Sequence, residues 1–239
     1  PALLARQAAA LDDLSGGRMI LGVGAGWQER EHQLFGFDLG DIPTRMARLE
    51  EGLEVITRLL KSDEPVTFEG RFFQLRGATL LPRPQRPGGP SILLGGNGVK
   101  RTLPLVARYA DIWNVLSLTP EGFRERSALL DTLLKAAGRE PAEVRRTMML
   151  AMFFGRDMDE VDRRLSWRHD RSEFANKPLD EAIEAIRAGG WALVGTPGMI
   201  IEQIQSYAGA GVEELMLQWF DMDDIDGLRA FAESVLPRL

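Results

Sequence analysis

Apolar residues recur every three or four positions in several stretches of the chain, the spacing of one face of an α-helix. The clearest stretch runs from Thr44 to Lys61, with Asp41 and Pro43 where its start should lie. Similar spacing predicts further helices at about 1–14, 102–109, 120–138, 179–187, 197–208 and 225–235. Thr119 and Thr196, each followed by proline, are expected to cap the helices that they precede.

Short apolar runs alternate with these helices and predict five strands, beginning near 18, 91, 111, 147 and 214. The runs do not alternate with polar residues, so we expect strands buried on both faces, including the strand from Arg18 to Gly24. Two further β-type runs around Glu69 and Gly70 predict a small hairpin. The alternation predicts an α/β fold with a parallel sheet, interrupted by excursions at about 62–90 and 155–178.

The amino-acid composition and net charge argue against several classes of protein. A chain of 239 residues with 44% hydrophobic and 27% charged residues can bury a core, which excludes a disordered chain. The net charge of −6 leaves no basic surplus for a nucleic acid. The longest apolar run, Met148 to Phe154, is far too short to span a membrane, and no segment resembles a signal peptide. We expect a cytoplasmic protein that binds neither nucleic acid nor membrane.

The sequence contains few histidines that could bind a metal and no residue that could supply a thiol. The chain has no cysteine, which excludes disulfides and cysteine ligands. Its two histidines, His32 and His169, are far apart in the sequence and form no zinc-type pair. We therefore predict no metal site.

A first candidate site lies in the glycine-rich run Gly22, Gly24 and Gly26, which follows the first predicted strand. Glycines let the backbone approach a ligand closely and expose N–H groups to an anion. The dinucleotide-binding fingerprint fails here, because its third glycine should lie three positions after Gly24, and that position is Trp27. A methyltransferase loop and simple tight packing at a strand end are the alternatives.

A second candidate site is the turn Gly95, Gly96, Asn97 and Gly98, between a strand and a helix. Helix N-termini bind phosphate readily, and α/β proteins bind ligands at the carboxyl ends of their strands. An ordinary strand-to-helix turn is the alternative. Because both turns follow parallel strands, they should lie at the same edge of the sheet, which favours a phosphate-bearing cofactor.

Other residues are weaker candidates. Trp27 and Trp113, each at a strand end, are predicted either to line a substrate pocket or to pack in the core. His32 is either an acid or base, or structural. Four cations are candidates to attract an anion or to lie on the solvated surface: Arg83, Arg86, Lys100 and Arg101. A chain with few catalytic side chains and with glycines at its strand ends is typical of an enzyme whose cofactor carries the chemistry.

Taken together, these residues resemble the bacterial luciferase-like monooxygenase family over nearly the whole chain. The matching segments are 1–27, Arg48–Leu53, Phe68–Phe73, Ile92–Gly98, Ala110–Asn114 and Val194–Pro197. The sequence from Gly24 to Trp27 is similar to members that use the deazaflavin coenzyme F-420 (F420 below) more than to members that use FMN.

The resemblance implies an incomplete (β/α)8 TIM-barrel-like fold, in which residues 1–239 form one domain with strands four to eight and lack the first three. It implies that Gly24, Ala25 and Gly26 contact the cofactor near its phosphate and ring. It also implies that Gly95, Gly96, Asn97 and Gly98 hold the phosphate.

The resemblance assigns no catalytic residue. Trp27 stands where some deazaflavin-dependent relatives carry a catalytic glutamate, and the family's histidine at the end of the second strand is absent. The expected activity is hydride transfer between F420 and an unidentified organic substrate. The alternatives are an FMN-dependent monooxygenase and a noncatalytic flavin-binding protein. Because missing strands leave unpaired edges, we also expect a homo-oligomer, such as a dimer.

Overall fold

The structure is a computed structural model. It describes residues 1–171, 174 and 177–239, and the side chains of these residues except those of Arg168 and His169. Part of the predicted excursion at 155–178 (residues 172, 173, 175 and 176), together with the His169 side chain, therefore lies outside the described residues.

Helices and strands alternate along the described residues, as the apolar pattern predicts. The α-helices are α1 (Ala2–Leu14), α2 (Glu29–Phe35), α3 (Ile42–Lys61), α4 (Thr102–Tyr109), α5 (Pro120–Ala136), α6 (Met158–Arg164), α7 (Leu179–Gly189), α8 (Pro197–Gly209) and α9 (Ile225–Ser234). The strands are β1 (Ile20–Val23), β2 (Val66–Glu69), β3 (Gln74–Ala78), β4 (Ser91–Gly95), β5 (Ile112–Leu116), β6 (Arg145–Phe154), β7 (Ala192–Gly195) and β8 (Glu214–Gln218). Short 3₁₀ helices lie at Pro141–Glu143, Ser166–Asp170 and Leu236–Arg238.

The described chain divides into two compact units. Unit 1 comprises Pro1–Trp113 and Thr132–Val144, and unit 2 comprises Asn114–Asp131 and Arg145–Leu239. Strands β1 to β4 belong to unit 1, strands β6 to β8 belong to unit 2, and β5 divides between the units after Trp113. The single domain expected over residues 1–239 stays a prediction.

In unit 1, β1 and β4 form a parallel pair, in which Ile20 lies opposite Ser91 and Val23 opposite Leu94. Helix α3 begins at an N-cap aspartate, Asp41, whose carboxylate accepts a hydrogen bond from the Thr44 N–H at 2.7 Å. The apolar face of α3 is buried, and the amino end of the helix lies beside the turn that follows β1.

Two side chains attach the first excursion to the helices of unit 1. The Glu51 carboxylate, on α3, accepts hydrogen bonds from the backbone N–H groups of Phe72 at 2.8 Å and Arg71 at 2.9 Å, at the tip of the β2–β3 hairpin. The Arg86 guanidinium pairs with the Asp12 carboxylate of α1 at 2.7 Å. The predicted hairpin is confirmed, with Phe68 opposite Leu75.

In unit 2, β6 is the central strand and pairs in parallel with both β7 and β8. Ala151 lies opposite Ala192 of β7 and also opposite Gln218 of β8. Because a strand residue has one neighbour on each side, β7 and β8 lie on opposite edges of β6. Helix α7 packs Ile183 and Ile186 against the core formed by β6 and β7.

The predicted fold class and all five predicted strands are confirmed, but the structure corrects two details. Strand β1 is not buried on both faces: Leu21 is buried, whereas Ile20 is 42% exposed and Gly22, on the same face, is also exposed. Thr196 occupies the N-cap position of α8, but its side chain makes no capping hydrogen bond. The Thr119 hydroxyl does accept one, from the Gly122 N–H at 3.2 Å.

Candidate cofactor site

The two predicted glycine-rich turns begin side by side in unit 1. Since Val23 pairs with Leu94, Gly24, the residue after β1, and Gly95, the last residue of β4, lie at the same level at neighbouring strand ends. Adjacent strands are about 4.8 Å apart, so both turns start within reach of one ligand group. The sequence therefore predicted the juxtaposition of these turns correctly.

The first turn needs glycine at Gly26 and leaves open space at Gly24. Gly26 has a φ of +78°, and a Cβ there would lie 3.3 Å from both His32 Nε2 and Leu39 Cδ1. A Cβ on Gly24 would meet no atom within 4 Å. The Arg45 guanidinium donates a hydrogen bond to the Gly26 carbonyl at 2.7 Å, so α3 holds the turn in place.

The second turn is held tightly against the start of α4. Gly96 has a φ of +126°, which favours glycine, and a Cβ on Gly98 would lie 2.9 Å from Thr102 Oγ1. The Gly98 carbonyl accepts a hydrogen bond from the Leu103 N–H at 3.0 Å. The turn therefore brings its backbone to the amino end of α4, where the helix dipole favours an anion.

A cavity of about 400 Å³ lies beside the first turn. Gly24 and Ala25 line it, together with His32 and two cationic side chains of α3, Arg45 and Arg48. The Arg45 Nε is buried without a hydrogen-bond partner among the described residues. Because an arginine without a full set of acceptors favours a bound anion, the cavity suits a ligand that carries a phosphate.

Arg45 and Arg48 are functional candidates that sequence reasoning missed. They lie on the predicted helix α3, whose prediction rested on the spacing of its apolar residues. A usable signal was present: both cations lie in the first two turns of α3, the end of a helix at which an anion is favoured. Only the fold shows that this end of α3 reaches the Gly26 carbonyl.

The four cations proposed from the sequence separate into two groups. Arg83 donates hydrogen bonds to the Leu59 and Leu60 carbonyls at 2.8 and 2.9 Å. Because Arg86 is paired with Asp12, both of these arginines serve the structure of the excursion. Lys100 and Arg101 are exposed, directly after the second turn.

The two tryptophans of the predicted substrate pocket have different surroundings. Trp27 is 81% exposed and lines a second cavity, of about 460 Å³, with His32 and Arg45. Trp113 is fully buried, and its indole N–H donates a hydrogen bond to the Gly96 carbonyl at 3.0 Å. The geometry at Trp113 therefore matches the packing alternative, since this side chain supports the second turn from the core.

His32 is positioned for proton transfer at one ring nitrogen. Its Nδ1 lies 2.8 Å from the Gln28 carbonyl oxygen, which can only accept, so Nδ1 carries a proton. In the neutral ring, Nε2 is then the acceptor. Since His32 lines both of these cavities beside the first turn, Nε2 is available to a ligand there.

The described residues contain neither a metal-binding cluster nor a membrane-spanning helix. No group of three or more histidine, cysteine, aspartate or glutamate side chains is arranged to bind a metal within the part of the chain that the structure describes. None of the helices in that part has both the length and the apolar character needed to cross a membrane.

Comparison with known proteins decides the family. The model of the luciferase-like monooxygenase family matches residues 1–214. The chain belongs to this family. A relative from Amycolatopsis mediterranei (strain U-32), an F420-dependent glucose-6-phosphate dehydrogenase, is 30% identical over 258 aligned positions, which cover 100% of this chain and 75% of the relative. The resemblance inferred from the sequence is thus confirmed.

Two further similar proteins are a monooxygenase and a dehydrogenase of known structure. The 4-hydroxyprotoasukamycin monooxygenase of Streptomyces nodosus subsp. asukaensis is 31% identical over 200 residues, which cover 82% of this chain and 50% of that protein. The structure of an F420-dependent secondary alcohol dehydrogenase, solved with an F420-acetone adduct, aligns with a TM-score of 0.79 at 23% identity. The alignment covers 98% of this chain and 74% of the dehydrogenase chain. This last comparison shows that the fold is luciferase-like.

Proposed function

We propose that the chain is a deazaflavin-dependent oxidoreductase that transfers hydride between coenzyme F420 and an organic substrate. The observation that carries the proposal is the pairing of Val23 with Leu94, because it starts both glycine-rich turns at neighbouring strand ends. The dehydrogenase from Amycolatopsis mediterranei, which is similar along the whole chain and is named as F420-dependent, supports the choice of cofactor.

The residues present fit a planar cofactor with a phosphate. Gly24 leaves an open position where any larger side chain would intrude. The second turn, Gly95 to Gly98, brings its backbone to a helix amino end, which suits the phosphate. Arg45 and Arg48 line the adjoining cavity and supply positive charge to an otherwise acidic protein.

Bound F420 would supply two-electron hydride chemistry. The protein residues then have three tasks: the two turns orient the cofactor, the arginines of α3 offset the phosphate charge, and a base removes the hydroxyl proton when an alcohol is oxidised. We assign that last task to His32, because its Nδ1 is engaged by the Gln28 carbonyl and Nε2 is left to accept the proton.

An FMN-dependent monooxygenase is the second candidate. The relative from Streptomyces nodosus supports it, since that protein is named as a monooxygenase and is 31% identical over 82% of this chain. Both cofactors carry a phosphate and a flat ring system, so the same turns would serve either of them. The cofactor that binds more tightly therefore separates the two functions.

Calorimetric titration with F420 and with FMN tests the proposal. We expect F420 to bind at least tenfold more tightly than FMN and to be reduced in the presence of an alcohol from a panel that includes glucose 6-phosphate. Tighter binding of FMN would favour the monooxygenase. Binding without turnover across the panel would favour a noncatalytic cofactor-binding protein, and no binding of either cofactor would overturn the proposal.

A further inference from the structure

Unit 2 contains a cavity of about 520 Å³ that is walled by aromatic side chains. Its described lining residues come from β6, the excursion after it, the residue before β7 and the segment after β8. They are Phe153, Trp167, Arg171, Phe174, Trp191 and Phe220. This volume lies within the range of about 300 to 1,000 Å³ that is typical of small-molecule pockets, which are also mainly apolar and aromatic.

The aromatic rings are arranged around Phe153. Its ring centroid lies 5.7 Å from that of Trp167, 5.9 Å from that of Trp191 and 6.1 Å from that of Phe220. The Trp191 ring stands at 80° to Phe153, while Phe220 is tilted by 31°. Because the aromatic rings have several orientations, a flat ligand could stack on the face of one ring and contact the edge of another.

The aromatic side chains that line the cavity differ in solvent exposure: the buried ones form its floor and the exposed one lies at its mouth. Phe153 and Phe174 are buried, and both belong to the core beneath α7. Phe220 is 63% exposed although it is large and apolar. The apolar surface of Phe220 is therefore in contact with water. A ligand that covers this surface would gain free energy from the hydrophobic effect.

Among the lining residues that the structure describes, Arg171 carries the only formal charge. Its guanidinium carbon lies 5.5 Å from the centroid of the Trp167 ring, and the residue is exposed. The positive charge therefore sits at the aromatic wall and disfavours a cationic ligand, while it favours a carboxylate or another anionic group.

We propose that this cavity, the aromatic pocket, binds a small planar apolar molecule with an anionic end, of the class of aromatic carboxylates. The ring system would lie against Phe153, Trp167 and Trp191, with the carboxylate beside Arg171. All the lining residues belong to unit 2, so the inference does not depend on the cofactor site proposed for unit 1.

Three naphthalene probes of equal size test the pocket: naphthoate, the uncharged naphthylmethanol and the cationic naphthylmethylammonium. By isothermal titration calorimetry at neutral pH, we expect naphthoate to bind about threefold to tenfold more tightly than the alcohol, and the cation to bind most weakly. No naphthoate binding up to millimolar concentration, or tightest binding of the cation, would overturn the proposal.

Variants assign the binding to these residues. Trp167→Leu should weaken naphthoate binding about tenfold, whereas Trp27→Leu, which removes an exposed tryptophan of unit 1, should leave it unchanged. If Trp27→Leu weakens binding as much as Trp167→Leu, the aromatic pocket is not the site.

The charge at the pocket is tested at an exposed position, where a substitution should leave the fold intact. Arg171→Gln should remove the preference for naphthoate over naphthylmethanol and keep the affinity for the alcohol. The matched control Arg229→Gln changes an exposed arginine of α9 outside the pocket and should keep the preference. A preference that survives Arg171→Gln would contradict the assigned role of Arg171.

Discussion

Val23 and Leu94 lie opposite each other in neighbouring parallel strands. This pairing brings two separate glycine-rich sequences to neighbouring strand ends, because Gly24 follows β1 at the level where Gly95 ends β4. The Gly26 carbonyl is held by Arg45 and the Gly96 carbonyl by Trp113, so both turns have a fixed backbone. A preorganised backbone binds a phosphate with little loss of conformational entropy.

The anion-binding role proposed for α3 predicts the effect of removing one cation. Arg45→Gln should weaken F420 binding about tenfold, because a charge-assisted hydrogen bond contributes about 1.5 to 3 kcal/mol and this side chain is partly exposed. The control Arg30→Gln removes an exposed arginine of α2 that does not line the cavity. Calorimetric titration at low salt measures both variants, and equal losses would argue for a general charge effect.

The assignment of His32 predicts a change in turnover without a change in cofactor affinity. Asparagine can still donate to the Gln28 carbonyl but has no equivalent of Nε2, so His32→Asn keeps the local contact and removes the base. Turnover should fall by about 10² to 10⁴-fold, as expected for the loss of general base catalysis. The measurement is F420 reduction at saturating alcohol, followed by its visible absorption. Unchanged turnover would exclude His32 as the base.

Unit 2 should lose stability in acid through one buried carboxylate. Glu160 is 7% exposed and accepts hydrogen bonds from the Arg156 N–H at 2.7 Å and the Arg164 guanidinium at 3.1 Å. Burial raises the pKa of Glu160, but these hydrogen bonds and charges outweigh burial and hold the pKa below its ordinary value. The charged form therefore stabilises the fold at neutral pH, and this contribution is lost as the pH falls below about 4.5, through the lowered pKa.

Glu160→Gln tests this account by chemical denaturation. The free energy of unfolding should fall by about 3 kcal/mol at neutral pH, the low end for a broken buried pair, since Arg156 and Arg163 are largely exposed. The variant should also lose part of the acid dependence. Glu184→Gln, in an exposed pair with Arg187, should cost less than about 1 kcal/mol. A similar loss in both variants would contradict the account.

The expected self-association stays a prediction, and β1 offers a way to test it. In the described part of the sheet β1 pairs with β4 alone, and Ile20 is exposed on it. An unpaired strand edge with an apolar side chain favours pairing with another chain. Ile20→Lys should shift sedimentation towards the monomer, while the exposed Met158→Lys in unit 2 should not. A wild-type protein that stays monomeric at all concentrations would refute this expectation.

The apolar periodicity was enough to predict α4 at its observed bounds and the five strands of the predicted parallel sheet. It could not predict α2, because none of the residues in that helix is buried and no apolar stripe marks it. Strand β7, which has four residues between α7 and α8, was not predicted. The aromatic pocket combines Phe153, Trp191 and Phe220, which are too far apart in the sequence for any local pattern to connect them.

Gly24 gives the most direct test of the proposed cofactor site. Alanine there meets no atom within 4 Å, so the protein should fold normally while a methyl group enters the space reserved for the cofactor. The measurement is the Kd of F420 for the wild type, for Gly24→Ala and for Gly198→Ala, a control glycine in α8 whose Cβ would also meet nothing. We predict about tenfold weaker binding for Gly24→Ala alone. Equal affinity in all three proteins would contradict the site.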